Sequence, residues 1–153
     1  MAGLKPILLV EDNPNDIELT LAALESSEIA NEIVICRDGA EALDFLQRKG
    51  PHEGREKQDP AVVLLDLKLP KVDGLEVLAR VKGDPATRGI PVVMLTSSRE
   101  ETDVVRSYDL GVNAFVVKPG AFDQFFAAIR ELGVFWTTVN EAPPHRRSPP
   151  SNG

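Results

Sequence analysis

The chain has 153 residues, 42% of them hydrophobic, which is enough for one domain with a substantial core and too few for two domains of ordinary size. Its 17 basic and 24 acidic side chains give a formal net charge of −7, so the phosphate backbone of DNA should repel the chain and direct DNA binding is not expected. No apolar stretch approaches about 18 residues and no signal peptide is visible, which argues against a membrane span and favours a cytoplasmic protein.

Short apolar runs alternate along the chain with segments of helical period. The runs predict strands at residues 7–10, 33–36, 62–65, 92–95 and 115–117. Capping residues and apolar spacings of three and four predict helices that begin at Asn13-Pro14, Asp38-Gly39, Asp73-Gly74, about residue 99 and Phe122. Short continuous apolar runs suit strands covered on both faces, so this alternation predicts an α/β domain in which βαβ units build a parallel sheet.

Two segments and one cysteine stand apart from this pattern. Residues 49–60 contain two glycines, two prolines and six charged side chains, which is typical of a long exposed loop. His52 lies in this loop without a second His or Cys beside it, so we interpret it as solvated rather than as a metal ligand. Residues 142–153 include four prolines and predict a disordered tail. Cys36 lies in an apolar run and is interpreted as a buried thiol, so no disulfide is expected.

Acidic side chains follow two of the predicted strands. Glu11 and Asp12 come directly after the first strand, and Asp66 comes directly after the third. Because the carboxyl ends of parallel strands meet at one edge of a sheet, these carboxylates should lie close together. Crowded carboxylates repel one another unless a cation lies among them, and hard oxygen ligands suit Mg²⁺. The sequence therefore predicts a magnesium site formed by these three residues.

A hydroxyl group and a lysine follow the remaining strands at the same edge. Thr96 and Ser97 come after the fourth strand, and Lys118 comes after the fifth. A carboxylate beside Mg²⁺ can attack phosphorus and form an aspartyl phosphate, while a lysine neutralises the charge that develops. In this interpretation Asp66 is the nucleophile, Lys118 is the counter-charge, and the two hydroxyls donate hydrogen bonds to the phosphoryl oxygens.

Each of these residues also has a simpler interpretation when it is taken alone. An Asp after an apolar run is often a helix cap, and we keep that interpretation for Asp73. Lys118-Pro119 alone is typical of a surface turn, Thr96 alone of a cap, and Phe115 alone of a core position. Their joint placement at one edge favours the functional interpretation for the set.

Four motifs occur in order within residues 5–132: Glu11-Asp12-Asn13, Asp66-Leu67-Lys68-Leu69-Pro70-Lys71-Val72-Asp73-Gly74, Thr96-Ser97 and Lys118-Pro119. Together they resemble the receiver domain of two-component response regulators, the CheY-like family. The resemblance implies a doubly wound, flavodoxin-like fold with five parallel strands in the order 2-1-3-4-5. It implies that Asp66 accepts a phosphoryl group from the histidine of a sensor kinase and that Lys118 contacts this group. It also implies that Asp12, Asp66 and the backbone carbonyl of Lys68 bind Mg²⁺ directly, with Glu11 acting through water.

The same resemblance implies a conformational switch. Phe115, three residues before Lys118, corresponds to an aromatic residue that turns inward when Thr96 moves toward the phosphoryl group. Many receivers have Tyr at this position, and Phe removes any hydroxyl contact with a partner. Lys68 departs from the usual Asn or small polar residue, and a cation that pairs with Glu11 or reaches the phosphoryl group should change the rate of dephosphorylation. Timing the loss of phosphate from a Lys68→Asn variant tests this expectation.

The end of the chain suggests how a signal leaves the domain. Only 21 residues follow Leu132, fewer than a DNA-binding or catalytic effector domain needs, so we expect a stand-alone receiver that signals by protein contact and is not an enzyme toward other substrates. The last helix is apolar over a wider surface than one core-facing stripe requires. In its long loop before the third strand, its Asp-Leu-Lys-Leu-Pro segment at 66–70 and its Phe135–Val139 extension, the chain resembles the small receivers that partner phytochrome-type histidine kinases.

That narrower resemblance implies a homodimer. We expect it to form through residues 122–142, where residues 133–142 are an aromatic extension of the last helix and residues 143–153 form the flexible tail. The alternative is that Phe135 and Trp136 fold back on their own domain.

Two other classes of function are compatible with an acidic site. Phosphatases of the haloacid-dehalogenase type also use a nucleophilic Asp with Mg²⁺, but they place an Asp-x-Asp pair after the first strand, where this chain has Glu11-Asp12. A receiver-like module that acts without phosphorylation would normally lack one of the acids, the hydroxyl or the lysine, and none is missing here. Phosphoryl acceptance is therefore the favoured interpretation.

Overall fold

The computed structural model describes residues 4–50, 59–97 and 100–139, in which strands and helices alternate. The strands are β1 (Ile7–Val10), β2 (Ile33–Cys36), β3 (Val62–Leu65), β4 (Val92–Thr96) and β5 (Ala114–Val117). The helices are α1 (Pro14–Ser26), α2 (Gly39–Gln47), α3 (Gly74–Gly83), α4 (Glu101–Asp109) and α5 (Phe122–Val134), and a π-helical turn, Phe135–Val139, continues α5. These bounds confirm every predicted strand to within one residue.

The five strands form one parallel sheet in the order β2-β1-β3-β4-β5. This order confirms the predicted doubly wound, flavodoxin-like fold. The chain reverses its direction of winding between β2 and β3, so β1 and β3 are neighbours within the sheet, with Val10 opposite Leu65. A crevice forms at such a reversal, outside the carboxyl ends of the strands.

Apolar side chains cover both faces of the sheet. Alternate residues of a strand point to opposite faces, so Leu8 and Val10 pack into a cluster with α2 and α3, whereas Ile7 and Leu9 pack into a second cluster with α1 and α5. Burial on both faces explains why the strands read as continuous apolar runs. Cys36 lies in the first cluster as a buried free thiol, as predicted.

Several predictions from the sequence fall on residues outside the described ranges. Most of the predicted loop at 49–60, including His52, lies there, as do residues 140–153 of the tail. Next to that loop, Arg48 forms an ion pair with Asp59 at 3.5 Å, and Gly50 is exposed. The helices in the described ranges are all too short or too polar to cross a lipid bilayer.

Candidate functional site

Three carboxylates meet at the carboxyl edge of the sheet. Glu11 and Asp12 follow β1, and Asp66 follows β3, so the parallel pairing of these strands brings the three residues side by side. Backbone hydrogen bonds continue past the strand ends, because the Glu11 amide donates to the Cys36 carbonyl at 3.0 Å and the Asp66 amide donates to the Val10 carbonyl at 3.1 Å. One carboxylate oxygen from each acid lies within 4.8 Å of the others. The predicted acidic cluster is therefore present.

Lys118 extends from the end of β5 into this cluster. Its backbone amide donates to the Thr96 carbonyl at 2.8 Å, which continues the β4–β5 pairing beyond β5. Its ammonium group donates to Glu11 Oε1 at 2.7 Å and to Asp16 Oδ2 at 2.8 Å, and it lies 3.6 Å from Asp66 Oδ2. Lys118 thus interacts with three carboxylates, those of Glu11, Asp16 and Asp66.

Burial governs the ionisation of Glu11. The pKa of this carboxyl is raised to about 7, mainly because the group is removed from water; the hydrogen bond from Lys118 lowers the pKa, and the negative charge of Asp66 adds to the rise. Burial by itself lowers the pKa of Lys118, but hydrogen bonds to Asp16 and Glu11 and the charge of Asp66 outweigh it and raise this pKa above its ordinary value. Lys118 is therefore a permanent cation, whereas the acidic cluster holds more negative charge than one lysine neutralises.

The start of α1 is anchored beside the cluster by Asn13. Its side-chain oxygen accepts hydrogen bonds from the amides of Asn15 at 2.9 Å and Asp16 at 3.2 Å, which caps the helix. The Asn13 amide in turn donates to Glu11 Oε2 at 3.2 Å. The cap therefore fixes the first turn of α1, and with it Asp16, against the acidic site.

The loop between β3 and α3 packs tightly against the site. The Gly74 amide donates to the Leu67 carbonyl at 2.7 Å, and a Cβ atom at Gly74 would lie 2.2 Å from the carbonyl oxygen of Asp66. Only glycine permits this approach. Asp73 caps α3 by accepting a hydrogen bond from the Glu76 amide at 3.0 Å, which confirms its interpretation as a cap.

Lys68 lies on the open side of this loop. Its side chain is exposed, and Glu11 is hydrogen-bonded by Lys118 and Asn13, so the suggested pairing of Lys68 with Glu11 is not formed in this structure. A cleft of about 510 Å³ opens here, lined by Asp12, Lys68, Asp73, Glu100 and Asp103 among others. The cleft gives a partner molecule access to the edge of the acidic cluster.

The other predicted residues lie on β4 and β5. Thr96 is buried and is the last residue of β4, Ser97 is exposed beside it, and Thr96 lies opposite Val117 in register. Phe115 lies opposite Met94 and is half-buried against the cluster under α2 and α3. Thr96 and Phe115 therefore occupy neighbouring strands near the site.

Asp16 is a site residue that the sequence interpretation missed. It lies on the first turn of a helix, whereas the predicted site residues all lie at or near the ends of strands. A signal was present, because the Asn13-Pro14 start of α1 places Asp16 three residues beyond the cap and close to the same edge.

The C-terminal surface combines buried and exposed aromatic residues. Trp136 is half-buried against the cluster under α1 and α5, as the fold-back alternative predicted, whereas Phe135 is 44% exposed. The two rings meet edge to face, with centroids 5.0 Å apart. Phe122 is 57% exposed at the other end of α5, and Val134 is also exposed. A shallow cavity of about 530 Å³ lies on this outer face, lined by Ala127, Arg130, Glu131, Val134 and Phe135.

Comparison with known proteins gives consistent matches. The family model described as the response regulator receiver domain matches residues 7–130. The chain is 44% identical over 132 residues to the response regulator Rcp1 of Synechocystis sp., which covers 86% of this chain and 88% of Rcp1. The crystal structure of the Mn²⁺-bound form of Rcp1 has a TM-score of 0.85, with 91% of this chain and 99% of that chain covered.

Two further solved structures are similar over most of their length. The phosphorylated cyanobacterial phytochrome response regulator RcpA is 42% identical, with a TM-score of 0.86, and covers 92% of this chain and 99% of its own. The bacteriophytochrome response regulator AtBRR is 69% identical, with a TM-score of 0.73, and covers 91% of this chain and 99% of its own.

Proposed function

Because the chain belongs to the response regulator receiver family, we propose that Asp66 accepts a phosphoryl group from the histidine of a sensor kinase in a reaction that requires Mg²⁺. The convergence of charged groups carries this proposal: oxygens of three carboxylates lie within 4.8 Å of one another, and Lys118 Nζ lies 3.6 Å from Asp66 Oδ2. The Mn²⁺-bound Rcp1 and the phosphorylated RcpA support it, because both are similar to this chain over most of its length.

The donor set fits a magnesium ion. Mg²⁺ prefers oxygen ligands at about 2.0–2.1 Å, and the carboxylate oxygens, which lie within 4.8 Å of one another, are close enough together to surround one ion. Asp12, Asp66 and the backbone carbonyl of Lys68 would hold the ion directly, with Glu11 acting through water. When bound, the ion supplies charge neutralisation for the phosphoryl oxygens.

The chain's own residues would perform the transfer. A carboxylate oxygen of Asp66 attacks phosphorus, the phosphorus–nitrogen bond of the phosphohistidine breaks, and its electron pair returns to the imidazole nitrogen. Lys118 neutralises charge on the transferred group, and the hydroxyls of Thr96 and Ser97 donate hydrogen bonds to its oxygens. The switch follows when Thr96 moves toward these oxygens and Phe115 turns into the space that it leaves. An altered dephosphorylation rate due to Lys68 stays a prediction.

The partner and the output follow from this role. We propose that the kinase is of the phytochrome type, since RcpA and AtBRR are named as phytochrome and bacteriophytochrome response regulators. We place this exchange in the cytoplasm, where the chain would act as a phosphoryl-accepting switch rather than as an enzyme, a DNA-binding protein or a membrane protein. Residues 5–132 would form the receiver.

The output would pass through a homodimer that uses residues 122–142. Phe122, Val134 and Phe135 support this proposal, because they expose apolar surface at the two ends of α5 and at the start of its extension. Trp136 contributes mainly to the fold of its own domain, so Phe135 rather than Trp136 would form the aromatic centre of the contact. Within the proposed extension at 133–142, only residues up to 139 are described, and the tail at 143–153 lies outside the described ranges.

Mass spectrometry of the intact chain tests the central proposal. Incubation with Mg²⁺ and acetyl phosphate should add one phosphoryl group to the unaltered protein and none to an Asp66→Asn variant. Omission of Mg²⁺ should abolish the addition to the unaltered protein. Addition to both proteins would mean that Asp66 is the wrong nucleophile, and addition to neither would favour the interaction module that acts without phosphorylation.

A further inference from the structure

The ammonium group of Lys118 is shared between the proposed reaction site and a helix outside it. Glu11 and Asp66 belong to the cluster that would hold the metal and the phosphoryl group. Asp16 does not, because it lies on the first turn of α1 and its carboxylate is not one of the three that lie within 4.8 Å of one another. Yet its oxygen lies 2.8 Å from Lys118 Nζ, whereas Asp66 Oδ2 lies 3.6 Å away.

The three protons of a lysine ammonium group limit how many acceptors it can serve well. Two of the protons are directed to Glu11 and Asp16 at hydrogen-bond distance. The contact with Asp66 is longer than a hydrogen bond and is an ion pair only. Of the three carboxylates, Asp66, the proposed phosphoacceptor, therefore has the longest and weakest contact with Lys118.

Resting on the function proposed above, we propose that Asp16 is a positioning residue that holds Lys118 back from Asp66 in the unmodified protein and so slows phosphoryl transfer. To stabilise the transferred group, Lys118 must turn toward oxygens attached to Asp66. That movement weakens its hydrogen bond to Asp16, which the ground state keeps and the transition state loses. An interaction of this kind raises the barrier.

The same geometry has a second consequence in the absence of phosphate. By drawing Lys118 toward α1, Asp16 leaves Asp66 free to serve as a metal ligand. Without Asp16, the ammonium group would move onto Asp66 and compete with the metal for its oxygens. Loss of Asp16 should therefore speed phosphorylation at saturating Mg²⁺ and weaken metal binding to the unmodified protein.

The Asp16→Asn variant tests the first consequence. The initial rate of phosphorylation by acetyl phosphate, followed by intact mass at saturating Mg²⁺, should rise about two- to five-fold, the range expected for loss of a partly exposed ion pair; the Asp16 side chain is 30% exposed. Glu18→Gln is the matched control, because it removes the same charge from an exposed position on the same helix and should leave the rate unchanged. An unchanged or slower rate in Asp16→Asn would overturn the proposal.

A titration with Mn²⁺, followed through the electron paramagnetic resonance signal of the free ion, tests the second consequence. Asp16→Asn should weaken Mn²⁺ binding two- to five-fold, and the effect should disappear in a Lys118→Met background, where no ammonium group can move. An equal loss of affinity in both backgrounds would show that Asp16 acts through its charge alone and would overturn the proposal. If neither protein takes up phosphate, the proposed function fails, and the Mn²⁺ titration still decides the role of Asp16.

Discussion

At the scale of single residues, the site depends on one close approach between backbone segments. The loop after β3 must leave Asp66 at the end of its strand and turn at once into α3. Gly74 makes that turn possible, since its backbone lies against the carbonyl oxygen of Asp66 and the backbone of Leu67. Any side chain at this position would push the loop after β3 outward.

We therefore expect Gly74→Ala to lower the free energy of unfolding by at least about 2 kcal/mol, the cost of overpacking against backbone that cannot yield. Gly83→Ala is the matched control, because a Cβ atom there meets nothing within 4 Å and alanine favours the helix. Urea unfolding of both variants measures the difference. Equal stability of the two variants would contradict the packing argument.

At the scale of elements, the helices differ in how they begin. The side-chain oxygen of Asn13 caps α1 by accepting two hydrogen bonds from backbone amides, whereas Ala121 begins α5 with extended backbone and no side-chain cap. Asn, Ser and Asp at such positions satisfy amides that the helix leaves without a partner. A side-chain cap is thus present at α1, which adjoins the acidic site, and absent at α5.

Replacement of these two residues should change stability in opposite directions. Asn13→Ala should lower the free energy of unfolding by about 1 kcal/mol, and Ala121→Ser should raise it by about 0.5–1 kcal/mol. Asn15→Ala is the control for the first change, because Asn15 is exposed and its backbone amide, which remains, makes the capping bond. Thermal and urea unfolding give both values, and a stability gain from Asn13→Ala would contradict the role of the cap.

The same contrast shows which parts of the structure the sequence could predict. Strands buried on both faces leave continuous apolar runs, and a parallel sheet brings the residues after those runs together, so Glu11, Asp12, Asp66 and Lys118 were predictable as a group. Asp16 was predictable only in part: the Asn13-Pro14 start of α1 places it near that edge, but its contact with Lys118 depends on the angle at which α1 leaves the sheet, which no periodicity encodes. The fold-back of Trp136 likewise depends on side-chain packing between α1 and α5.

At the scale of the whole molecule, the proposed phosphorylation at one edge of the sheet would have to change a surface that another protein contacts. Apart from Leu4, the large exposed apolar residues of the described ranges divide into two groups, one on α5 and its extension and one on α4, where Val105 and Tyr108 are exposed. The proposed homodimer uses the first group.

We expect Phe135→Glu to convert a dimer into a monomer, because it places a charge at the centre of the proposed contact. Its stability should change little, since Phe135 is 44% exposed in the single chain. Tyr108→Glu is the control, because Tyr108 is 52% exposed on α4, and it should leave the dimer intact. Sedimentation velocity measures both, and loss of the dimer only in Tyr108→Glu would move the contact to α4.

The strands of the sheet differ in how deeply they are buried, and this difference separates two sets of site residues. Every residue of β1 and β3 is buried, whereas β5, at the edge, is only half-buried along its whole length. Deeply buried strands are the most protected against local unfolding, and an edge strand with fewer buried contacts unfolds locally at a lower free energy. The acids proposed to hold Mg²⁺ therefore follow the two fully buried strands, whereas Phe115 and Lys118, which are proposed to respond to phosphorylation, lie on or directly after the less buried edge strand. In such a receiver, β5 could change conformation while the acids after β1 and β3 keep their positions around the ion.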